Sequence, residues 1–188
     1  RDMTVIIGWL GFYAKYICGF TKSKTTDVVA EIEKMRELLQ CGKSDVLVDQ
    51  DGVGGGVVDQ GGYLGFSGGA SVIPDPNTKI KENYQNLKTQ VYYRFAERKI
   101  NEGLVGINLD GIMVDGEHTN MVLIGKQFFE VEKLVKEDLR CFKRVDVDMD
   151  GKKRMNDKES QKNILGGRSP DFGDALMLRE WFELSPSQ

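Results

Sequence analysis

A chain of 188 residues, 40% hydrophobic and 29% charged, has the composition of a soluble globular domain and the length for one ordinary core. The formal net charge of −3 excludes a globally basic protein, though not a local basic patch. No run approaches the roughly 18 apolar residues of a membrane helix, and Arg1-Asp2-Met3-Thr4 does not have the form of a signal peptide.

In chain order, Thr4 to Trp9 and Phe12 to Phe20 are apolar, β-rich runs separated at Gly11, which predicts a hairpin. Thr25-Thr26-Asp27 starts a helix whose apolar residues fall at Val28, Ile32, Met35 and Leu39, with Cys41-Gly42 as its stop. Asp45 to Val48 reads as a short buried strand ending on Asp49, and the glycines at 52 and 54–56 make a turn before a short helix beginning at Val57. A strand is expected near Ala70 to Ile73. The clearest helix runs from Lys79 to Asn101, with Ile80, Tyr84, Leu87, Val91 and Phe95 as its stripe. Leu104 to Leu109 reads as a strand, Asp110 to Gly125 as a variable loop or β excursion, and Phe128 to Leu139 as a helix. Cys141 to Val147 and the polar run after Gly151 suggest an edge hairpin. Ser169-Pro170-Asp171 starts the last helix, with Ser169 as cap and Pro170 in the first turn. Without repeats or linkers, the expectation is a single α/β domain over residues 1–188 on a mixed β-sheet flanked by helices, antiparallel first and parallel later.

Any chemistry has to come from carboxylates. Cys18, Cys41 and Cys141 are scattered and odd in number, unlike a disulfide scaffold or zinc site, and are expected to be reduced thiols in a cytoplasmic protein. His118 is the one histidine and lies in a polar stretch, so it is expected to be solvated. Val48-Asp49-Gln50-Asp51-Gly52 puts two aspartates at a strand end, where α/β sheets collect their sites. The same residues also read as an ordinary Asp–Gly turn. No Gly-Lys-Ser/Thr at P-loop spacing accompanies the glycines. Asp171 and Asp174 stand at i and i+3 on a first helical turn and so face one way. Meeting a strand-end carboxylate, they would form a hard oxygen site for Mg²⁺ or Mn²⁺; alone, Asp171 would only complement the helix dipole.

Gly167-Arg168-Ser169-Pro170-Asp171-Phe172-Gly173-Asp174-Ala175-Leu176 resembles the closing motif of the nuclease domain of tailed-phage terminase large subunits. Residues 48 to 59 are similar to that family's second acidic motif, Lys88 to Ala96 to its central helix, and Asp2-x-Thr4-Val5-Ile6 to the end of its opening motif. The resemblance spans nearly the whole chain in the family's order. It implies an RNase H-like fold and an endonuclease that cuts concatemeric phage DNA during genome packaging, by two-metal hydrolysis with Mg²⁺ or Mn²⁺. By that resemblance Asp49, Asp171 and Asp174 are the catalytic residues and Asp49, Asp51, Asp171 and Asp174 the metal ligands, with Asp49 and Asp51 competing for the strand-end role. It implies double-stranded DNA, the small terminase subunit, the portal and the packaging ATPase as partners, no membrane, and the bacterial host cytoplasm as the place of action. The family's first catalytic aspartate lies in a strand upstream of the Asp2-x-Thr4 segment, so that strand is expected before residue 1. No Walker motif of the packaging ATPase is present.

Lys152, Lys153, Arg154, Lys158, Lys162 and Arg168 cluster before the last helix and could steer the DNA backbone toward Asp171, with Lys152, Lys153, Arg154 and Arg168 as the candidate contacts. Asp157 and Glu159 interleave with this run, so it also reads as a solvated face. Asp146-x-Asp148-x-Asp150-Gly151 imitates the front of a calcium loop with Asp157 in twelfth place, but Lys153 and Arg154 occupy its eighth and ninth places, and a hairpin turn fits better. Tyr92, Tyr93, Trp9 and Trp181 read as core or boundary residues. The alternatives to a terminase nuclease are another RNase H-like nuclease such as a junction resolvase, and a non-catalytic module that binds DNA or assembly partners. In the module, Asp49 and Asp171 would have no reason to converge.

Overall fold

Alternation along the first strand sets the layers. In the computed structural model, which describes residues 2–51, 54–145 and 151–185, β1 (Thr4–Leu10) pairs antiparallel with β2 (Tyr13–Phe20). Met3, Val5, Ile7 and Trp9 pack toward one core, while Ile6 packs toward another on the opposite face. Gly8 lies under the helix that follows, where a Cβ would meet the Met35 sulfur at 2.7 Å. That helix, α1 (Thr25–Leu39), buries Val28, Ile32 and Met35, as its spacing predicts. Its stop is Gln40 in the left-handed region (φ 52°), one residue before the expected Cys41-Gly42.

β3 (Leu47–Asp49) runs parallel to β4 (Leu64–Phe66), with α2 (Gly54–Gly61) between them. The strand expected near Ala70 to Ile73 is absent; the nearby strand is β4. The backbone N–H and C=O of Ile73 are taken instead by the side-chain amide of Gln90, at 2.9 and 2.7 Å. α3 (Leu87–Phe95) is shorter than the predicted Lys79–Asn101 helix, although a wider turn continues it over Ala96–Ile100. Asn86 caps it through the Thr89 N–H, and Lys79 is left-handed, so Ile80 lies outside the helix and is 65% exposed.

β5 (Gly106–Ile107) and β6 (Ile112–Val114) pair parallel with β2, and β7 (Glu117–His118) pairs antiparallel with β6. β8 (Met121–Ile124) and β9 (Gln127–Glu130) form a hairpin about Gly125 (φ 66°). Phe128 is therefore in a strand, and α4 (Val131–Cys141) begins three residues after the predicted helix start. β10 (Arg144–Val145) and β11 (Arg154–Met155) make the expected edge hairpin; Asp146, Asp148 and Asp150 of the calcium-like pattern lie outside the described residues. α5 (Lys158–Ile164), capped by Asp157, leads to α6 (Asp171–Met177), then a tight turn and α7 (Trp181–Leu184).

The result is a mixed sheet flanked by helices. α4 and α6 cover one face through Val131, Leu134, Val135, Phe172 and Leu176, against Ala14, Ile17, Ile112 and Val114 of the sheet. α1 and α2 lie across the other through Val28, Ile32 and Val57. α3 anchors a third cluster through Val91, Tyr92 and Phe95. The three cysteines are free, two of them buried, and His118 is exposed. Among the described residues no helix is long and apolar enough to cross a membrane.

Candidate active site

Among the described residues, β1 hydrogen-bonds to β2 alone and β3 to β4 alone. Between these two strand edges runs a slot of about 850 Å³. Its walls are β1 from Thr4 to Trp9 and, opposite, Val46 with Leu47 to Asp49 of β3, and Ile32, Met35, Ala175 and Leu178 help to line it from the helical side. Asp2, Asp49, Asp51, Asp171 and Asp174 open into this same cleft. The predicted strand-end and helix-start carboxylates thus share one space.

Each carboxylate has its own support. Asp171, the first residue of α6, accepts the Met3 N–H at 2.7 Å. Burial pushes it up to about 6, and the charges of Asp2, Asp174 and Asp138 add to the rise. Asp174, one turn on, accepts the buried Tyr92 hydroxyl and pairs with the Lys88 ammonium at 3.2 Å. Burial first, then Asp174, hold the Tyr92 phenol well above its ordinary range, so it stays a donor. Asp49 accepts the Asp51 N–H at 3.1 Å. Desolvation raises Asp49, and Asp51 and Asp174 add like charge. Asp51 is turned to the following loop, where it accepts the Gly68 N–H at 3.2 Å. Asp49 is therefore the freer of the two competing strand-end ligands.

The start of α6 differs from expectation. Pro170 occupies the cap position and has no hydroxyl to offer, while the Ser169 hydroxyl donates to Asp2 at 2.6 Å. That bond, ahead of Lys162, holds Asp2 below its ordinary range. The cap comes from α4, where the fully buried Asp138 accepts the Phe172 and Gly173 N–H groups at 3.0 and 3.1 Å.

The predicted basic residues are placed differently. Arg168 turns inward to Glu137 and Asp138. Lys153 faces Glu97 at 3.6 Å and the rings of Tyr84 and Tyr93. Of the cluster before the last helix Lys158 lines the cleft, together with Lys22, Arg36 and Arg179, and Lys152, Lys153, Arg154, Lys162 and Arg168 do not. Lys88 and Tyr92 are one helical turn apart and were legible only as a basic face and a boundary aromatic. Their common partner lies in a distant helix, which no local spacing announces.

Among the described residues no three His, Cys, Asp or Glu side chains stand close enough to hold a metal ion as they are. The donor type at the acidic end nevertheless suits one: Asp2, Asp49, Asp51, Asp171 and Asp174 offer carboxylate oxygens and no imidazole lines the cleft, the preference of Mg²⁺ and Mn²⁺.

This mixed sheet flanked by helices is the RNase H-like fold. Solved structures of this fold that match the chain include the nuclease domain of the large terminase subunit of bacterial virus Sf6, at a TM-score of 0.67 and 19% identity, covering 96% of this chain and 82% of that one. A lysine-to-alanine variant of that domain, solved with manganese and beta-thujaplicinol, matches at 0.67 and 18% over the same shares. The variant with calcium matches at 0.67 and 18%, over 95% and 82%. No family model and no curated protein sequence matches the chain.

Proposed function

We propose that the chain is the nuclease domain of a phage terminase, a metal-dependent endodeoxyribonuclease. The observation that carries this reading is the meeting of Asp49, from a strand end, with Asp171 and Asp174, from a helix start, in one cleft. The fold of terminase nuclease domains supports it, as do the manganese and calcium bound by those neighbours. Asp49, Asp171 and Asp174 would hold Mg²⁺ or Mn²⁺, with Asp51 at the rim. A pair of such ions supplies positive charge to the attacking and leaving oxygens of phosphodiester hydrolysis. The chain's own contribution is to keep the carboxylates ready: Tyr92 and Lys88 hold Asp174, and Met3 holds Asp171. Lys22 and Lys158, exposed at the cleft, would take the DNA phosphates.

The slot between β1 and β3 has room for a further strand that would complete the acidic set. A strand seated there would pair with both free edges and bring its side chains between Asp49 and Asp171. Such a strand would carry the first carboxylate that the family resemblance implies. In the cell the domain would cut concatemeric phage DNA in the host cytoplasm, beside the small subunit, the portal and the packaging ATPase.

The test is nicking of supercoiled plasmid with Mn²⁺, Mg²⁺ or EDTA, by this chain, by a version extended upstream, and by Asp171→Ala in each. Metal-dependent cutting that the variant lacks supports the reading. An extended protein that binds DNA and never cuts it would make the chain a binding module instead.

A further inference from the structure

The first turn of α6 is the weakest-looking part of the site. The helix has seven residues, and its cap position is Pro170, which offers no side-chain acceptor. A turn with free N–H groups and no cap frays, and Asp171 would move with it. The deficit is made good from α4. One oxygen of Asp138 accepts both the Phe172 and the Gly173 N–H groups. Its other oxygen takes the Arg168 guanidinium, which also reaches the Ser169 carbonyl at 3.3 Å and Glu137 at 2.9 Å. Asp171 is thereby bracketed: the ion pair holds the carbonyl two residues before it and the amides one and two residues after it.

The close approach is built into the sequence. A Cβ on Gly173 would sit 2.8 Å from the Asp138 Cβ and 2.9 Å from the Phe142 ring, so residue 173 has to be glycine for α4 and α6 to meet this closely. Asp138 is fully buried, and such a carboxylate is costly unless its bonds are made. An apolar pair would cover the same space without that cost, but it could not receive two amides.

We infer that Asp138 and Arg168 form a positioning pair for Asp171, fixing the α6 turn so that the Asp171 carboxylate faces the cleft; the inference rests on the nuclease reading of that cleft. Neither residue touches the reacting atoms. Arg168 acts inward on Asp138.

The experiment compares the parent, Asp138→Ala, which removes the acceptor, and the double variant Asp138→Leu/Arg168→Met. It measures urea unfolding, Mn²⁺ affinity by calorimetry, plasmid nicking, and amide exchange at Phe172 and Gly173. Loss of a side chain that orients a ligand costs about 10- to 100-fold in metal affinity or activity. That loss is expected in both variants, together with faster exchange at Phe172 and Gly173 against unchanged exchange at Val135. The apolar double variant is expected to regain the unfolding midpoint and to stay impaired in Mn²⁺ binding and nicking. Recovery of both by the double variant would reduce the pair to a packing role and overturn the inference. So would parent-level nicking by Asp138→Ala. If neither the parent nor its version extended upstream nicks DNA or binds Mn²⁺, the nuclease reading fails on its own terms. The exchange arm then decides separately: unaltered protection of Phe172 and Gly173 overturns the positioning role, and lost protection upholds it.

Discussion

The backbone amide of Met3 donates to the carboxylate of Asp171 at 2.7 Å, joining the entrance of the first strand to the first residue of α6. This bond favours the charged carboxylate, but burial outweighs it and pushes Asp171 up to about 6. An acid whose folded value lies above its unfolded one of 3.8 is destabilising when ionised. The cost is absent below 3.8, grows as pH rises toward 6, and is complete above it. Asp171→Asn keeps an acceptor for Met3 and removes the charge. Without metal, it is expected to stabilise the protein at pH 8 by about 1–2 kcal/mol, discounted for partial solvent access, and to give no gain near pH 4. Urea unfolding at the two pH values checks this, and the same variant should not cut DNA.

Tyr92 is buried, and its hydroxyl is given to Asp174. Tyr92→Phe leaves that carboxylate with the Lys88 ammonium. A loss of about 0.5–1.5 kcal/mol in stability is expected, with slower nicking in Mn²⁺. Unchanged nicking would mean that Lys88 alone is enough to orient Asp174.

Arg94 is buried among Asp75, Glu82 and Glu180, at 2.7, 3.0 and 3.1 Å. This network ties the segment before α3 to the turn before α7, away from the cleft. Arg94→Met removes the buried central cation, leaves Asp75 and Glu82 with Arg98 at 3.4 and 2.7 Å, and leaves buried Glu180 without its partner. A loss of about 3–5 kcal/mol is expected in urea unfolding, as for one broken buried pair. The loss should shrink at acid pH as the carboxylates take up protons.

Lys22 and Lys158 line the cleft, while Arg168 is engaged inside the protein. Removing one phosphate contact lowers the slope of log affinity against log salt by about 0.9. The double variant Lys22→Ala/Lys158→Ala should therefore bind duplex DNA more weakly, with a slope shallower by roughly 2, in a titration from low to moderate salt. An unchanged slope would move the DNA path elsewhere.

Where elements were legible, a local pattern and the packing agreed. The hairpin of β1 and β2 and the stripe of α1 follow from side-chain period alone. Disagreements arose where one cap, turn or side-chain partner outcompeted the apolar pattern. Gln90 takes the backbone groups of Ile73 that a strand would have used. Asn86 caps α3 late, against a stripe that seemed to continue back to Ile80. Phe128 sits opposite Leu123 in a hairpin because Gly125 permits the turn.

The sequence by itself determined which residues could do chemistry. Asp49 ends a strand, Asp171 and Asp174 share one face of a helical turn, and a chain with one histidine leaves the work to carboxylates. Those properties depend on neighbours a few positions away, which the sequence displays. Only the tertiary structure decided what supports them. Tyr92 and Lys88 on Asp174, Met3 on Asp171, Asp138 under the α6 turn and the inward course of Arg168 are all contacts between distant segments. They arise when helices pack across the two faces of a sheet, and nothing in the spacing of residues along one segment records which partner that packing will bring.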